Sequence, residues 1–299
     1  MAKTRWTADN IPDQTGRRVI VTGSTSGIGK EAARVLAGKN ASVIIAARNV
    51  QKGEKVADEI RQEFPNADVT VRELDLSELE SIAAFSQSIL AEFDQLDVLI
   101  NNAGIMACPY SKTADGFEIQ MGTNHFSHFA LTGQLLPLLQ STDNSRVFYV
   151  SSMAHAMGNI DFSDLSWESR KYNTWRAYGD SKLANLYFTY ELARKLEDRD
   201  NSLMVTAAHP GWTATELQRH SGSSDFLNRF FAQGVEIGAL PTLRAGFDGD
   251  AQSGDYFGPS GFMEMRGTPV KVTSNERSQD TEAAEELWKR SEELTGVSY

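Results

Sequence analysis

The sequence predicts an α/β protein: a doubly wound, mostly parallel sheet with helices on both faces, built as a single domain. Three observations carry this expectation. Short β-branched apolar runs alternate with helix-patterned segments throughout the first half of the chain. The first of these runs opens onto a glycine-rich turn that leads directly into a helix. Two asparagines and a glycine follow the carboxyl end of a later run, the edge at which ligands sit in open parallel sheets.

The elements follow in order. Residues 1–16 are a polar lead-in ending at Gly16, and 17–299 form the domain. Arg18–Thr22 is the first strand. Gly23, Ser24, Thr25, Ser26, Gly27, Ile28 and Gly29 make the turn, and Lys30–Ala37 is helical up to Gly38. Glycines let backbone approach a phosphate, and a helix N-terminus offers it free N–H groups and a positive dipole end. No Gly-Lys-Ser/Thr follows, so this is not a nucleoside-triphosphate loop. Ala41–Ala47 is a second strand, ending in Arg48 and Asn49. An acidic residue at this point suits NAD, and a basic one suits the 2′-phosphate of NADP. Ala47 and Arg48 therefore point to NADP, by roughly ten- to a hundredfold if Arg48 makes a charged hydrogen bond of about 1.5–3 kcal/mol. The bland alternative is that Arg48 is a solvated strand end.

Helix 50–63 leads to strand 69–74, which closes on Asp75, Leu76 and Ser77. Asp75 can either accept from an adenine amino group or cap the helix over 78–92. Leu96–Ile100 is the fourth strand, followed by Asn101, Asn102, Ala103 and Gly104. A long helical region is expected over 112–140, carrying Asn124, His125 and His128. No third histidine or carboxylate at ligand spacing joins the two histidines, so no metal is expected. Arg146–Val150 is the fifth strand and ends in Ser151 and Ser152. A hydroxyl at this strand end can donate to a substrate oxygen, and neither serine sits in a Gly-x-Ser-x-Gly elbow.

Tyr178 and Lys182 lie four apart in a helix expected over 176–199, hence on one face. An ammonium beside a phenol lowers the phenol's pKa from about 10 and makes it a usable acid/base. Leu203–Ala208 is the sixth strand, followed by His209, Pro210, Gly211, Trp212, Thr213 and Thr215. Apolar residues of 213–234, among them Leu217, Phe226 and Phe230, suggest an amphipathic substrate lid or a satellite helix packed on the core. Helix 235–247 and strand Asp255–Phe257 finish the sheet, and Thr281–Thr295 is a solvated closing helix with acidic residues early and Lys289-Arg290 late.

Composition narrows the partners. The formal charge of −11 argues against nucleic acid and anionic membrane surfaces. One cysteine, Cys108, permits no intrachain disulfide and fits a reducing compartment. No apolar h-region opens the chain and no spanning run occurs, so a cytoplasmic protein without a stable membrane anchor is expected.

Together these residues resemble the short-chain dehydrogenase/reductase family over roughly 17–260, outside its extended branch, whose glycine spacing differs. Thr22-Gly23-x-x-x-Gly27-Ile28-Gly29, Asn101-Asn102-Ala103-Gly104, Tyr178-x-x-x-Lys182 and Pro210-Gly211 appear in the family's order. Arg48-Asn49 and Ser151-Ser152-Met153-Ala154-His155 look most like its retinol-dehydrogenase-like members. The resemblance implies a Rossmann fold and an NADP-dependent hydride transfer between nicotinamide and a carbonyl or alcohol, with an apolar aldehyde or ketone as substrate. It implies catalytic roles for Asn124, Ser152, Tyr178 and Lys182. Asn124 would bend its helix and hold a relay water, and Lys182 would bind the nicotinamide ribose. The implied cofactor set is Gly23, Ser24, Ser26, Gly27, Ile28, Gly29, Arg48, Asn49, Asp75, Leu76, Asn102, Ala103, Gly104, Tyr178, Lys182, Pro210, Gly211, Thr213 and Thr215. Residues 153–177 look like an insertion on the substrate side, whose tryptophans and Tyr172 line a pocket or anchor the loop. The family often pairs subunits through the Tyr178 helix, which implies a homo-oligomer. Two rivals share the outline: a carbon–carbon double-bond reductase of the protochlorophyllide-reductase type, for which Cys108 is the available cysteine, and a non-enzymatic NADP-binding regulator.

Overall fold

The computed structural model describes residues 5–197, 202–213 and 233–299. Eight strands form one sheet in the order β3-β2-β1-β4-β5-β6-β7-β8. They are β1 Arg18–Thr22, β2 Ser42–Ala47, β3 Val69–Glu73, β4 Val98–Asn101, β5 Arg146–Val150, β6 Met204–Ala208, β7 Tyr256–Pro259 and β8 Pro269–Val272. Pairing is parallel from β3 through to β7, and only β7–β8 is antiparallel. Strand order reverses between β1 and β4, which opens a crevice at their carboxyl ends. Because helices cover both faces, the central strands are apolar at successive positions rather than alternating: Val19, Ile20 and Val21 are all fully buried.

Helices α1 Gly27–Gly38, α2 Val50–Glu63 and α3 Leu79–Glu92 follow their strands as the sequence predicts. Asn49 caps α2 by accepting from Lys52 N at 2.8 Å. The region expected to be helical from 112 begins later. Lys112 and Glu118 form an isolated antiparallel bridge, closed by Thr113 N donating to Phe117 O. Glu118 then caps Ile119–Met121, which runs through a π turn, Gly122–Phe126, into Ser127–Ser141; this continuous helix is α4. Asn124 sits within this π turn.

Helix α5 spans Thr174–Glu197 and is buried over nearly every position from Ala177 to Leu192. That surface is covered within the chain. Helix α8, Thr281–Thr295, lies across α4 and α5, where Trp288 packs against Phe129 and Phe188 with Tyr299 beside them. The all-round apolarity of α5 thus has a cause inside one chain, and α8 is a packed helix with Leu287 and Trp288 buried rather than merely solvated. The helix expected over 235–247 is divided into α6 Val235–Gly238 and α7 Leu240–Phe247, with Pro241 in the first turn of the second piece. Strand β8 was not expected after β7; a proline opens it and Lys271 faces out, as suits an edge strand. The lid expected over 213–234 and Thr215 lie outside the described residues, apart from the ends at Thr213, Gln233 and Gly234.

Candidate active site

The crevice between β1 and β4 widens into a cleft of about 1080 Å³. The glycine turn forms one end. Gly23 takes φ +65°, and a Cβ there would lie 2.7 Å from Ala103 Cα, so the two loops touch backbone to backbone. Thr22 ties them together. Its hydroxyl oxygen accepts from Asn102 N and Ala103 N, both at 2.9 Å, and Asn102 Nδ2 donates to Thr22 O at 2.8 Å. His128 Nδ1 lies 3.0 Å from Asn124 O, a carbonyl that can only accept, so Nδ1 carries the ring proton. Nε2 is then bare, and it and Ile100 O are the two acceptors in reach of the Thr22 hydroxyl, at 3.1 and 3.2 Å. Burial holds His128 neutral, with its pKa pulled down to about 4. His125 is likewise a core residue, bonded to Ser291 on α8, with its pKa pulled down by burial to about 3. Among the described residues no group of three or more His, Cys, Asp or Glu is arranged to hold a metal.

Ser26 caps α1 without a side-chain bond to the first turn, so the N–H groups there are left for a ligand. Together with an open cleft, that is a cradle suited to a phosphate. Gly23, Ser26, Gly27, Ile28, Gly29, Arg48, Leu76, Asn102, Ala103, Gly104, Pro210, Gly211 and Thr213 line the cleft. Among the described residues, three of the expected cofactor set do not. Ser24 is turned inward and donates to Val21 O at 2.9 Å. Asn49 is occupied as the α2 cap. Asp75 accepts from both Ser77 N and Ser77 Oγ, which is a turn-forming role, and it sits 3.9 Å from Arg48 Nε. Thr25, Thr123 and Ile105, absent from the expected set, are part of the lining. Thr25 occupies an unconstrained position of the glycine motif. The other two become neighbours of the site only through the π turn and the loop after Gly104.

At the far end stand Ser152, Tyr178 and Lys182. The β5 strand delivers both serines, but Ser151 spends its hydroxyl on Lys182 O at 2.9 Å and is buried, so Ser152 is the one with a hydroxyl on the cleft. Tyr178 is buried, which pushes its phenol up to about 12, against an opposing contact with the Ser152 hydroxyl. This reverses the sequence expectation of a lowered pKa. Lys182 Nζ lies 5.8 Å from the Tyr178 ring centre and donates to Val150 O at 2.8 Å, and burial is the largest influence on the phenol. The same burial pulls Lys182 down to about 8. Asn124 does not reach the cleft. Its side chain is spent on Ile105, by Oδ1 accepting from N at 2.8 Å and Nδ2 donating to O at 3.0 Å, and on Ser181 Oγ at 2.9 Å. It pins the loop after Gly104 to the helix carrying Tyr178.

Residues 153–177 divide their labour. Met153, Ala154, Met157 and Trp175 line the cleft, while the middle is an anchor. Asp164 accepts from Glu168 N, Ser169 N and Ser169 Oγ, and Arg170 stacks 3.6 Å over Trp167. The remaining cleft wall is largely apolar: Met106, Cys108, Pro109, Tyr110, Ile119 and Met265.

Comparison with known proteins follows the same lines. A family model described as short chain dehydrogenase matches residues 17–225. Human retinol dehydrogenase 12 is 45% identical over 289 residues, covering 95% of this chain and 88% of that one. Human retinol dehydrogenase 13 is 42% identical, covering 94% and 85%. Among solved structures, an uncharacterized protein from Mycobacterium paratuberculosis superposes with a TM-score of 0.84 at 42% identity, covering 99% of each chain. A short chain dehydrogenase from Shigella flexneri 2a, complexed with NADP, superposes with a TM-score of 0.64 at 27% identity, covering 81% of this chain and 95% of that one.

Proposed function

From the premise that the chain belongs to the short-chain dehydrogenase/reductase family, in its retinol-dehydrogenase-like branch, and is a nicotinamide-dependent oxidoreductase, we propose that it uses NADP and reduces the carbonyl of an apolar aldehyde or ketone. The observation that carries this reading is the meeting of Ser152, Tyr178 and Lys182 at one end of a cleft whose other end is a glycine turn with Arg48 beside it. When bound, the cofactor supplies or receives the hydride. The chain handles the proton. A phenol pushed up to about 12 is protonated at neutral pH, so Tyr178 is an acid ready to donate to a carbonyl oxygen. The Ser152 hydroxyl holds that oxygen as negative charge develops. Lys182, held by Val150 O, keeps a cation near the phenolate that remains. Asn124 supports the relay through the π turn, which fixes Ser181 and Ile105 around Lys182. The reverse reaction, alcohol oxidation, uses the same groups.

NADP is favoured by Arg48, which is mostly exposed at the end of β2, while Ala47 fills the position an acidic residue would take. The NADP complex of the Shigella flexneri relative is consistent with this. The apolar substrate is favoured by the methionine and aromatic lining, and a reducing, cytoplasmic setting by the single free cysteine. A homo-oligomer gains no support from α5, whose apolar surface α8 already covers. One observation favours a second reading, reduction of a carbon–carbon double bond: Cys108 lines the cleft with its thiol pushed up by burial, hence protonated. The test is NADPH oxidation, beside NADH, over a panel of apolar aldehydes, ketones and quinones, with Tyr178→Phe in parallel. Turnover that prefers NADPH and falls at least a hundredfold in the variant, the scale of one general acid, is expected. Tight NADPH binding with no turnover of any carbonyl would overturn the carbonyl reading.

A further inference from the structure

A fully buried carboxylate, Glu118, lies behind the substrate end of the cleft with no cation to balance it among the described residues. Its three partners are all donors. Oε1 accepts from Gln120 N at 3.0 Å and from the Tyr172 hydroxyl at 2.7 Å, and Oε2 accepts from Met121 N at 2.7 Å. Tyr172 has one proton and gives it to the carboxylate, which leaves its oxygen free to accept from Gln120 Nε2 at 2.8 Å. Gln120 then extends in two directions. Nε2 also donates to Thr174 O at 3.0 Å, at the first residue of the helix that carries Tyr178 four positions later. Oε1 accepts from Ala107 N at 2.7 Å.

Ala107 is the informative end of this chain of bonds. It holds φ +48°, left-handed backbone in a residue with a side chain, and its neighbours Met106 and Cys108 both line the cleft. Such a conformation persists only where its surroundings impose it. Here Gln120 imposes it by taking the Ala107 N–H. The same node packs Tyr172 edge-on against Tyr110, another lining residue, and against Trp167 of the anchored loop. Three separate segments, 105–110, 118–121 and 172–174, therefore meet at one satisfied hydrogen-bond cluster that touches neither the glycine turn nor Ser152.

We infer that Glu118, Gln120 and Tyr172 are positioning residues that hold the 105–110 wall against the N-terminus of the Tyr178 helix, and so set how well a bulky apolar carbonyl compound is held beside Tyr178. This rests on the carbonyl-reductase reading for its substrate and on geometry alone for the wall. The cluster acts on the part of the substrate remote from the reacting carbon. Loosening it costs binding of large substrates and leaves the chemistry of small ones in place.

Cys108 gives a readout that needs no reaction, because it is the chain's one cysteine and sits on the wall. Two variants are made in the full chain. Tyr172→Phe keeps the ring and removes the hydroxyl. Gln120→Leu keeps the volume and removes the polar ends. In each, labelling of the Cys108 thiol by an aromatic disulfide reagent is timed, and kcat and KM are measured for a ten-carbon and a four-carbon aldehyde. The expected result is labelling about tenfold faster and KM for the ten-carbon aldehyde about tenfold higher, a change of about 1.4 kcal/mol. The kcat for the four-carbon aldehyde stays within about twofold. Unchanged labelling in both variants would overturn the inference, because the wall would not depend on the cluster. Faster labelling with equal losses of kcat for both aldehydes would overturn the substrate-holding role. Faster labelling in a chain whose unmutated form reduces neither aldehyde would retain the wall and refute the carbonyl reading instead.

Discussion

Arg48→Ala separates cofactor preference from every other property of the site. In the free chain Arg48 is three-quarters exposed and 3.9 Å from Asp75, an ion pair worth at most about 1 kcal/mol in water. Removing it leaves the fold intact. A charged hydrogen bond to a 2′-phosphate contributes about 1.5–3 kcal/mol, and releasing Asp75 offsets up to about 1 of that. The net of about 0.5–3 kcal/mol corresponds to a fall in NADPH preference of roughly two- to a hundred-and-fortyfold. Steady-state kcat/KM for NADPH and NADH, measured at one aldehyde concentration, gives the number directly. The account expects the NADPH value to fall by that factor and the NADH value to stay level. Asp75→Asn, which frees Arg48 and removes a repulsive charge, should move NADPH the other way. If NADPH and NADH fell together, Arg48 would be acting on the fold of the β2 end, and the phosphate argument would fail.

Two further outcomes follow from the same geometry. Burial pulls Lys182 down to about 8, so its cation is present below that pH and is lost as pH rises through it. Tyr178, pushed up to about 12, stays protonated over the same range. Carbonyl reduction should therefore decline as pH rises through about 8, and a rate that is level to pH 9.5 would show that Lys182 keeps its charge there. Trp288→Ala removes the ring that joins α8 to Phe129, Phe188 and Tyr299, with centroids 5.3, 5.3 and 4.6 Å away. Urea unfolding should register a loss of about 3–5 kcal/mol, and size-exclusion chromatography should register self-association through the uncovered α5 surface; a loss under about 1 kcal/mol would mean α8 does not act as the cover of α5.

Residues read most accurately where local chemistry and tertiary role agree. The strand Arg18–Thr22, helix Val50–Glu63 and helix Thr281–Thr295 stand where periodicity and turn residues put them, because nothing in the tertiary structure competes with those signals. The same holds for Tyr178 and Lys182, whose four-residue spacing survives as one helix face on the cleft. What failed to read were long-range partners. Ser24 belongs to the glycine motif, yet its hydroxyl turns to Val21 O. That Trp288, a hundred residues on, covers the apolar face of α5 is likewise a contact that sequence cannot state. The helix expected from Lys112 is delayed to Ile119 by the Lys112–Glu118 bridge, a non-helical pairing without periodicity of its own. The phenol of Tyr178 carries the plainest lesson in magnitude. Spacing identifies the lysine that can lower its pKa, but burial is a property of the fold, and in this chain it is the largest influence on the phenol.

The central claim is hydride delivery to a carbonyl carbon while Tyr178 supplies the proton. It is tested most directly by single turnover with NADPH deuterated at the transferable C4 position and an apolar enal such as 2-decenal, followed by mass and NMR analysis of the product. The account predicts one deuterium on the carbinol carbon, and its loss from the product stream in Tyr178→Phe. Deuterium delivered instead to a carbon of a conjugated double bond, with the carbonyl of the same enal untouched, would contradict it and assign the cleft to the double-bond chemistry.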